Sequence, residues 1–329
     1  MTPSRTSVVK LLGKLSLLIV PFIISFLYLS VTVPWLTTIQ QARMQDKVQK
    51  LLLDATTTPQ VIIAGDSRAE DNVVPAIFSA KTGLSAANVA EGDEILSQTY
   101  NTLSDNGVLD THRLIIISVT AYDISDTMLD NQPIDKTVFE TEPWGAQKIK
   151  DMLAYYKNAA DYYIVHYKNV MHFSEGDNIH APQTLLAAKG FSAQENVLHT
   201  SPGQIPSNPD AWWYAKFRPN GVKQADFVHT LEAFGNTNDT VVIYIGPQAP
   251  IFKENTLGSN IQAEDKAFAA VIAQTIAPYS NMHFIDFQDQ DNPTLSDEDF
   301  ADRVHLNSNG APVFTQLLVD TLKQKGIIK

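Results

Sequence analysis

Two short stretches near opposite ends of the chain hold the residue types from which covalent catalysis is built. Gly65-Asp66-Ser67 follows the apolar run Val61-Ile62-Ile63-Ala64, and Asp302 and His305 stand three apart in Phe300-Ala301-Asp302-Arg303-Val304-His305-Leu306-Asn307. A serine hydroxyl is a weak nucleophile until a base takes its proton, and an imidazole base needs an acid to fix its tautomer. An Asp-x-x-His loop can bring a carboxylate to imidazole Nδ1 and leave Nε2 for a serine. Each stretch alone has an ordinary reading, since strand-to-helix turns use Gly, Asp and Ser for capping. An isolated Asp-x-x-His is more often a cap beside a surface histidine.

The surrounding pattern supplies elements to position them. Val61–Ala64, Leu114–Val119, Val241–Ile245 and His283–Phe287 read as buried strands, with Asn88–Ala90 a weaker one. Ile95, Leu96, Thr99, Tyr100 and Leu103 fall on one helical face, as do Val313, Phe314, Leu317, Leu318 and Leu322. Strands alternating with helices imply an α/β fold with a parallel sheet covered on both faces. In such sheets reactive groups belong at the carboxyl ends of strands, where Ser67 stands. If a helix starts there, the Ser67 N–H is available to an oxyanion.

The 329 residues include 24 basic and 36 acidic side chains, a net charge of −12, which argues against nucleic acid as the main partner. Zero cysteines exclude disulfides, a thiolate nucleophile and Cys-ligated metal. His166, His172, His180 and His199 lack metal-ligand spacing, so neither metal nor cofactor is expected. Leu15–Leu36 runs for 22 residues without a charge, enough for a membrane span, and Arg5, Lys10 and Lys14 before it keep the N-terminus cytoplasmic. This reads as an uncleaved signal anchor. Expected units are a tip and anchor over 1–36, a juxtamembrane helix or stalk over 37–58, and a domain over 59–329. The domain carries an insertion or lid at about 127–223, the later part rich in proline (Pro182, Pro202, Pro206, Pro209, Pro219).

Taken together, the Gly-Asp-Ser turn after the first strand and the Asp-x-x-His before the last helix resemble the SGNH (GDSL-like) hydrolase superfamily. That resemblance implies a three-layer, flavodoxin-like sheet over roughly 59–329, with Ser67 as nucleophile, His305 as base and Asp302 as its orienting acid. Asn88-Val89-Ala90-Glu91-Gly92 looks like the block that gives a glycine N–H to the oxyanion hole, pointing to Gly92; a simple strand-to-helix turn is its alternative. The third block departs from the pattern. Ser118-Val119-Thr120-Ala121-Tyr122-Asp123 offers no Asn, so either Thr120 or Tyr122 substitutes or the hole is thinner.

That divergence and the single anchor look like the membrane-anchored branch of the superfamily. It includes alginate and peptidoglycan O-acetylation proteins and the teichoic acid D-alanyl transfer protein. Gly246-Pro247-Gln248-Ala249-Pro250 resembles a Pro-rich turn of that branch. The resemblance implies a bacterial inner-membrane protein with its domain in the periplasm, working beside a multi-span O-acyltransferase on an envelope polysaccharide. Arg68 stands either to bind an anionic substrate group or to pair with Glu70 or Asp71. Tyr122 is a further candidate for substrate contact, and Trp212 and Trp213 either stack on sugar or pack the lid. The expected reaction is acyl transfer through a Ser67 acyl-enzyme; an esterase, or a weakly catalytic glycan- or acyltransferase-binding scaffold, are the alternatives.

Overall fold

Every residue of Val61–Gly65 and of Leu114–Ser118 is buried, which marks these strands as the middle of a sheet. The computed structural model describes residues 39–92, 94–124, 145, 180–198, 221–256, 260–288 and 295–329. In chain order its principal elements begin with α1 (Ile39–Val48, extended by a π-helical turn Gln49–Leu53), β1 (Val61–Gly65), α2 (Ser67–Asn72) and α3 (Pro75–Thr82). Next come β2 (Ala86–Asn88), α4 (Leu96–Asp105), β3 (Leu114–Ser118) and a 3₁₀ turn (Ala121–Ile124). Then follow α5 (Gln183–Ala187), α6 (Val222–Gly235), β4 (Thr240–Ile245), α7 (Pro250–Thr256), α8 (Asn260–Ile276), β5 (Met282–Asp286) and α9 (Gly310–Gln324).

The five strands form one sheet in the order β2-β1-β3-β4-β5, with every pairing parallel. Alternate side chains serve opposite faces, as the two-residue period of a strand requires. Ile62, Ala64, Ile115, Ile117, Val241 and Ile243 pack with residues of α1, α4, α6 and α8. Val61, Ile63, Leu114, Ile116, Val242 and Tyr244 pack on the other face with α2, α3, α7 and α9. Burial of each such Ile or Leu contributes about 1.5–3 kcal/mol, which makes these two clusters the main source of stability. The strand expected over 88–90 runs over Ala86–Asn88 instead; beyond it Val89 N and Glu91 N still donate to Ile63 O and Gly65 O of β1, and Asn88 Oδ1 accepts from Ala90 N.

Helix α1 occupies the segment expected as a juxtamembrane helix or stalk. Met44, Val48 and Leu52 recur at helical spacing and are buried in the first cluster, so the helix is integral to the core. Two compact units divide the chain: Thr38–Met128 with Gly176–Lys329, and Met1–Thr37 with Leu129–Glu175. All the elements above belong to the first; apart from Gly145, the second lies outside the described residues. Among the described residues no helix is long and apolar enough to cross a membrane, and Leu15–Leu36 is not among them.

The described part of the expected insertion runs as a strap along the β2 edge. Lys189 O accepts from Asn88 N (2.9 Å), Glu70 O from Ser192 N (3.2 Å), Gln194 O from Ser308 N (2.7 Å) and Phe300 O from Leu198 N (2.7 Å). Gly190 is required here: its φ is +90°, and a Cβ would lie 1.7 Å from Asn88 O.

Candidate active site

The order β2-β1-β3 puts a topological switch beside β1, and its carboxyl end is where Ser67 stands. Gly65 ends β1 with φ +109°, and a Cβ would meet Ser118 O at 2.4 Å, so only glycine lets the chain turn against β3. Asp66 then caps α2, its side chain accepting from Arg68 N at 3.1 Å, and Ser67 becomes the first helical residue.

Ser67 Oγ lies 2.7 Å from His305 Nε2, and His305 Nδ1 lies 2.7 Å from Asp302 Oδ2. The other Asp302 oxygen accepts from Val304 N and His305 N, each at 2.9 Å. An ionised carboxylate only accepts, so Nδ1 carries the ring proton and the Nε2 lone pair faces the serine O–H. Burial raises the Asp302 pKa, but the His305 ring and the two N–H donors outweigh it and hold the carboxyl well below its usual range. Burial lowers the His305 pKa and Arg68 adds to that, yet Asp302 reverses the balance and the imidazole stands above its ordinary value.

Two buried asparagines hold this loop and the nucleophile helix in register. Asn72, at the end of α2, accepts from Leu306 N (2.8 Å) and donates to Val304 O (3.5 Å), while Thr315 Oγ bonds its carbonyl from α9. Asn88 donates to Ala69 O (2.7 Å) and Val73 O (3.2 Å), fixing α2 against β2. Neither role was foreseeable, because nothing distinguishes these from solvent-facing asparagines until the partner loops are placed.

The flank away from the imidazole differs. Gly92 adjoins Ser67, a Cβ on it falling 3.9 Å from Ser67 Cβ. The Thr120 N–H donates to Asp123 Oδ2 at 2.8 Å, leaving only the Thr120 hydroxyl available to a ligand. Asp123 is fully enclosed and also accepts from Leu96 N; burial drives its pKa up to about 7. Arg68 pairs with neither expected carboxylate. Glu70 is taken by Lys47 (2.8 Å) and Asp71 by the Gln194 amide (3.0 Å), and Arg68 Nη1 is buried without a hydrogen-bond partner among the described residues.

No family model matches the chain, and no curated protein matches it. Among solved structures it is similar to one from Streptococcus pneumonia whose description names a platelet activating factor, with 13% identity and a TM-score of 0.41 over 90% of this chain and 98% of that one. That likeness carries no functional argument. The chemistry must therefore be argued from the geometry.

Ser67, His305 and Asp302 are brought together, with Gly92 and Arg68 beside them; Thr120 follows β3, and Trp212 and Trp213, and the side chain of Tyr122, lie outside the described residues. Sequence reasoning missed Asp71, which is buried close enough to His305 to feel its charge. Desolvation raises its pKa to about 7 against the opposing pull of His305 and Gln194. It also missed Lys47, which reaches from α1 to Glu70 and Glu91, each at 2.8 Å, with no surface exposed.

Proposed function

We propose that this chain is an SGNH-type serine acyltransferase, held outside the cytoplasm by its N-terminal segment, that moves acetyl or a similar small acyl group to a hydroxyl of an envelope polysaccharide. The observation that carries the chemical part is the Ser67–His305–Asp302 chain of two 2.7 Å hydrogen bonds at the carboxyl end of a parallel sheet. The apolar run Leu15–Leu36 and its basic flank support the location, with a multi-span membrane O-acyltransferase as the partner that delivers acyl groups.

In the proposed reaction Ser67 Oγ attacks the ester carbonyl of the donor as its proton passes to His305 Nε2. The tetrahedral intermediate collapses, the bond to the donor alkoxy oxygen breaks, and that oxygen takes the proton from His305. An acyl-Ser67 ester remains. His305, neutral again, removes the proton of an acceptor hydroxyl, which attacks the acyl carbon and releases Ser67 when the proton returns to Oγ. Asp302 stays ionised throughout and stabilises the imidazolium.

If water is the acceptor the same steps describe an esterase, so the partition of the acyl-enzyme decides between the two. Stopped-flow reaction with p-nitrophenyl acetate should show a burst of nitrophenolate, followed by turnover that accelerates when an oligosaccharide acceptor is added. Acetylated sugar should appear in the product. Turnover indifferent to every sugar, yielding acetate alone, would replace the transferase by the esterase; no burst and no turnover would favour a binding scaffold. An active C-terminal alkaline phosphatase fusion is expected in cells, and activity only from a cytoplasmic reporter would overturn the location.

A further inference from the structure

Arg68 is the second residue of α2, directly after the nucleophile. The atoms nearest a Cβ placed on Gly246 include Arg68 Cδ at 3.6 Å and Arg68 Cβ at 3.9 Å, and Gly246 directly follows β4. Since β3 lies between β1 and β4, the arginine crosses the carboxyl end of β3, where Thr120 also stands. Only 8% of the residue is exposed, and Nη1 is buried with no hydrogen-bond partner among the described residues. Among the described residues Arg68 makes no salt bridge, and the carboxylates near it in sequence are committed elsewhere: Glu70 to Lys47, Asp71 to Gln194, and Asp66 to the Arg68 backbone N–H.

A guanidinium is always charged and presents a planar fork of donors. Enclosing one without a counter-ion opposes folding, so its retention here points to an anion that arrives during function. One candidate backbone donor is already engaged, Thr120 N–H by Asp123. A negative charge forms in this site when the ester carbonyl becomes tetrahedral, and the Ser67 N–H at the start of α2 needs a further donor beside it to meet that charge.

We infer that Arg68 is a catalytic residue whose guanidinium donates to the oxyanion formed on attack by Ser67, across the carboxyl end of β3. The inference rests on the proposed acyl transfer at Ser67. It assigns to a cation the work that backbone and amide donors do in most acyl-transfer sites. It also accounts for the placement of Arg68 beside His305, because a fixed positive charge opposes protonation of the imidazole that must act as base.

The test is rapid-mixing acylation of the full-length protein by a neutral ester, p-nitrophenyl acetate, and an anionic one, mono-p-nitrophenyl succinate. Arg68→Met should slow acylation by both esters about a hundredfold or more, the usual consequence of losing an oxyanion donor. KM should change by less than about twofold, because the lost interaction belongs to the transition state. Arg68→Lys keeps the charge without the fork and should recover part of the rate. The acid limb of the pH–rate profile should also move to higher pH in Arg68→Met, as only Asp302 and Asp71 would then act on His305; a loss of packing alone would not move it. Unchanged acylation by the neutral ester overturns the inference. So does a loss confined to the succinate ester and expressed in KM, which would make Arg68 a receptor for a substrate anion. If near-UV circular dichroism shows Arg68→Met unfolded, Arg68→Lys decides alone: a reduced kcat at constant KM supports the role, and a wild-type rate refutes it. Failure of the wild-type protein to acylate Ser67 at all would refute the acyl-transfer reading itself and the inference with it.

Discussion

Toward the imidazole, Ser67 faces a loop whose polar groups are closely matched: Asp302 accepts three hydrogen bonds, Asn72 bonds Leu306 and Val304, and Asn307 caps α9 while donating to Glu298 O and Phe300 O. On its other side stand Gly92 and the enclosed Arg68 guanidinium, whose Nη1 has no hydrogen-bond partner among the described residues. The first flank is organised before any substrate arrives. The second keeps polar capacity in reserve, which is the expected distribution when the proton path must be rigid and the charge to be stabilised exists only during reaction.

Breaking the organised flank should have the largest effect. Ser67→Ala removes the atom that becomes acylated, and His305→Ala removes the base; each should lower kcat by about 10⁴-fold or more, since members of such a relay act as a unit. Asp302→Ala should cost less than either, leaving His305 able to act in a poorer orientation, with the order read from steady-state turnover of an aryl acetate. Next comes the pH profile. His305 must be neutral to accept a proton, and Asp302 raises its pKa, so activity should rise with pH through a midpoint above that of free imidazole. The midpoint should fall in Asp302→Asn.

Smaller effects report on the scaffold. Asn72→Ala leaves the buried Leu306 N–H without its acceptor and should cost about 1–3 kcal/mol in urea unfolding, with a fall in kcat as α2 and the His305 loop lose register. The smallest is Asp71→Asn. Burial lifts the folded-state pKa of Asp71 to about 7, so the native state favours the protonated carboxyl. Its contribution to stability is full below the unfolded pKa near 3.8 and is lost as pH rises through about 7. Asparagine still accepts from Gln194, so the variant should match the wild type in acid and gain in melting temperature at pH 8. A gain independent of pH would contradict the assigned shift.

Much of the sheet could be read directly because β1, β3 and β4 are continuous apolar runs, buried on both faces, between turn-forming residues. The Ser67, Asp302 and His305 candidates were legible for a similar reason: each sits where an element ends, and their spacing carries chemical meaning. Long-range polar contacts were not. Lys47 belongs to a polar stretch that reads as solvated, and only the fold places Glu70 and Glu91 against it. Arg68 seemed destined for Glu70 or Asp71 by proximity in sequence, but Glu70, two residues on, does not share its helix face, and although Asp71 stands at the favourable spacing of three, Gln194 takes its carboxylate as Lys47 takes that of Glu70. The strand read at 88–90 lies two residues earlier, at Ala86–Asn88, because Ala86 and Ala87 carry no strand signal of their own while the backbone beyond Asn88 still follows β1.

The central claim, that Ser67 forms an acyl ester with His305 as its base, is tested most directly by peptide-level mass spectrometry after brief incubation with p-nitrophenyl acetate and an acid quench. The account predicts one acetyl group on the peptide containing Ser67, absent in Ser67→Ala and nearly absent in His305→Ala. Acetylation spread over surface lysines and unchanged in either variant, with Ser67 unmodified, would contradict it.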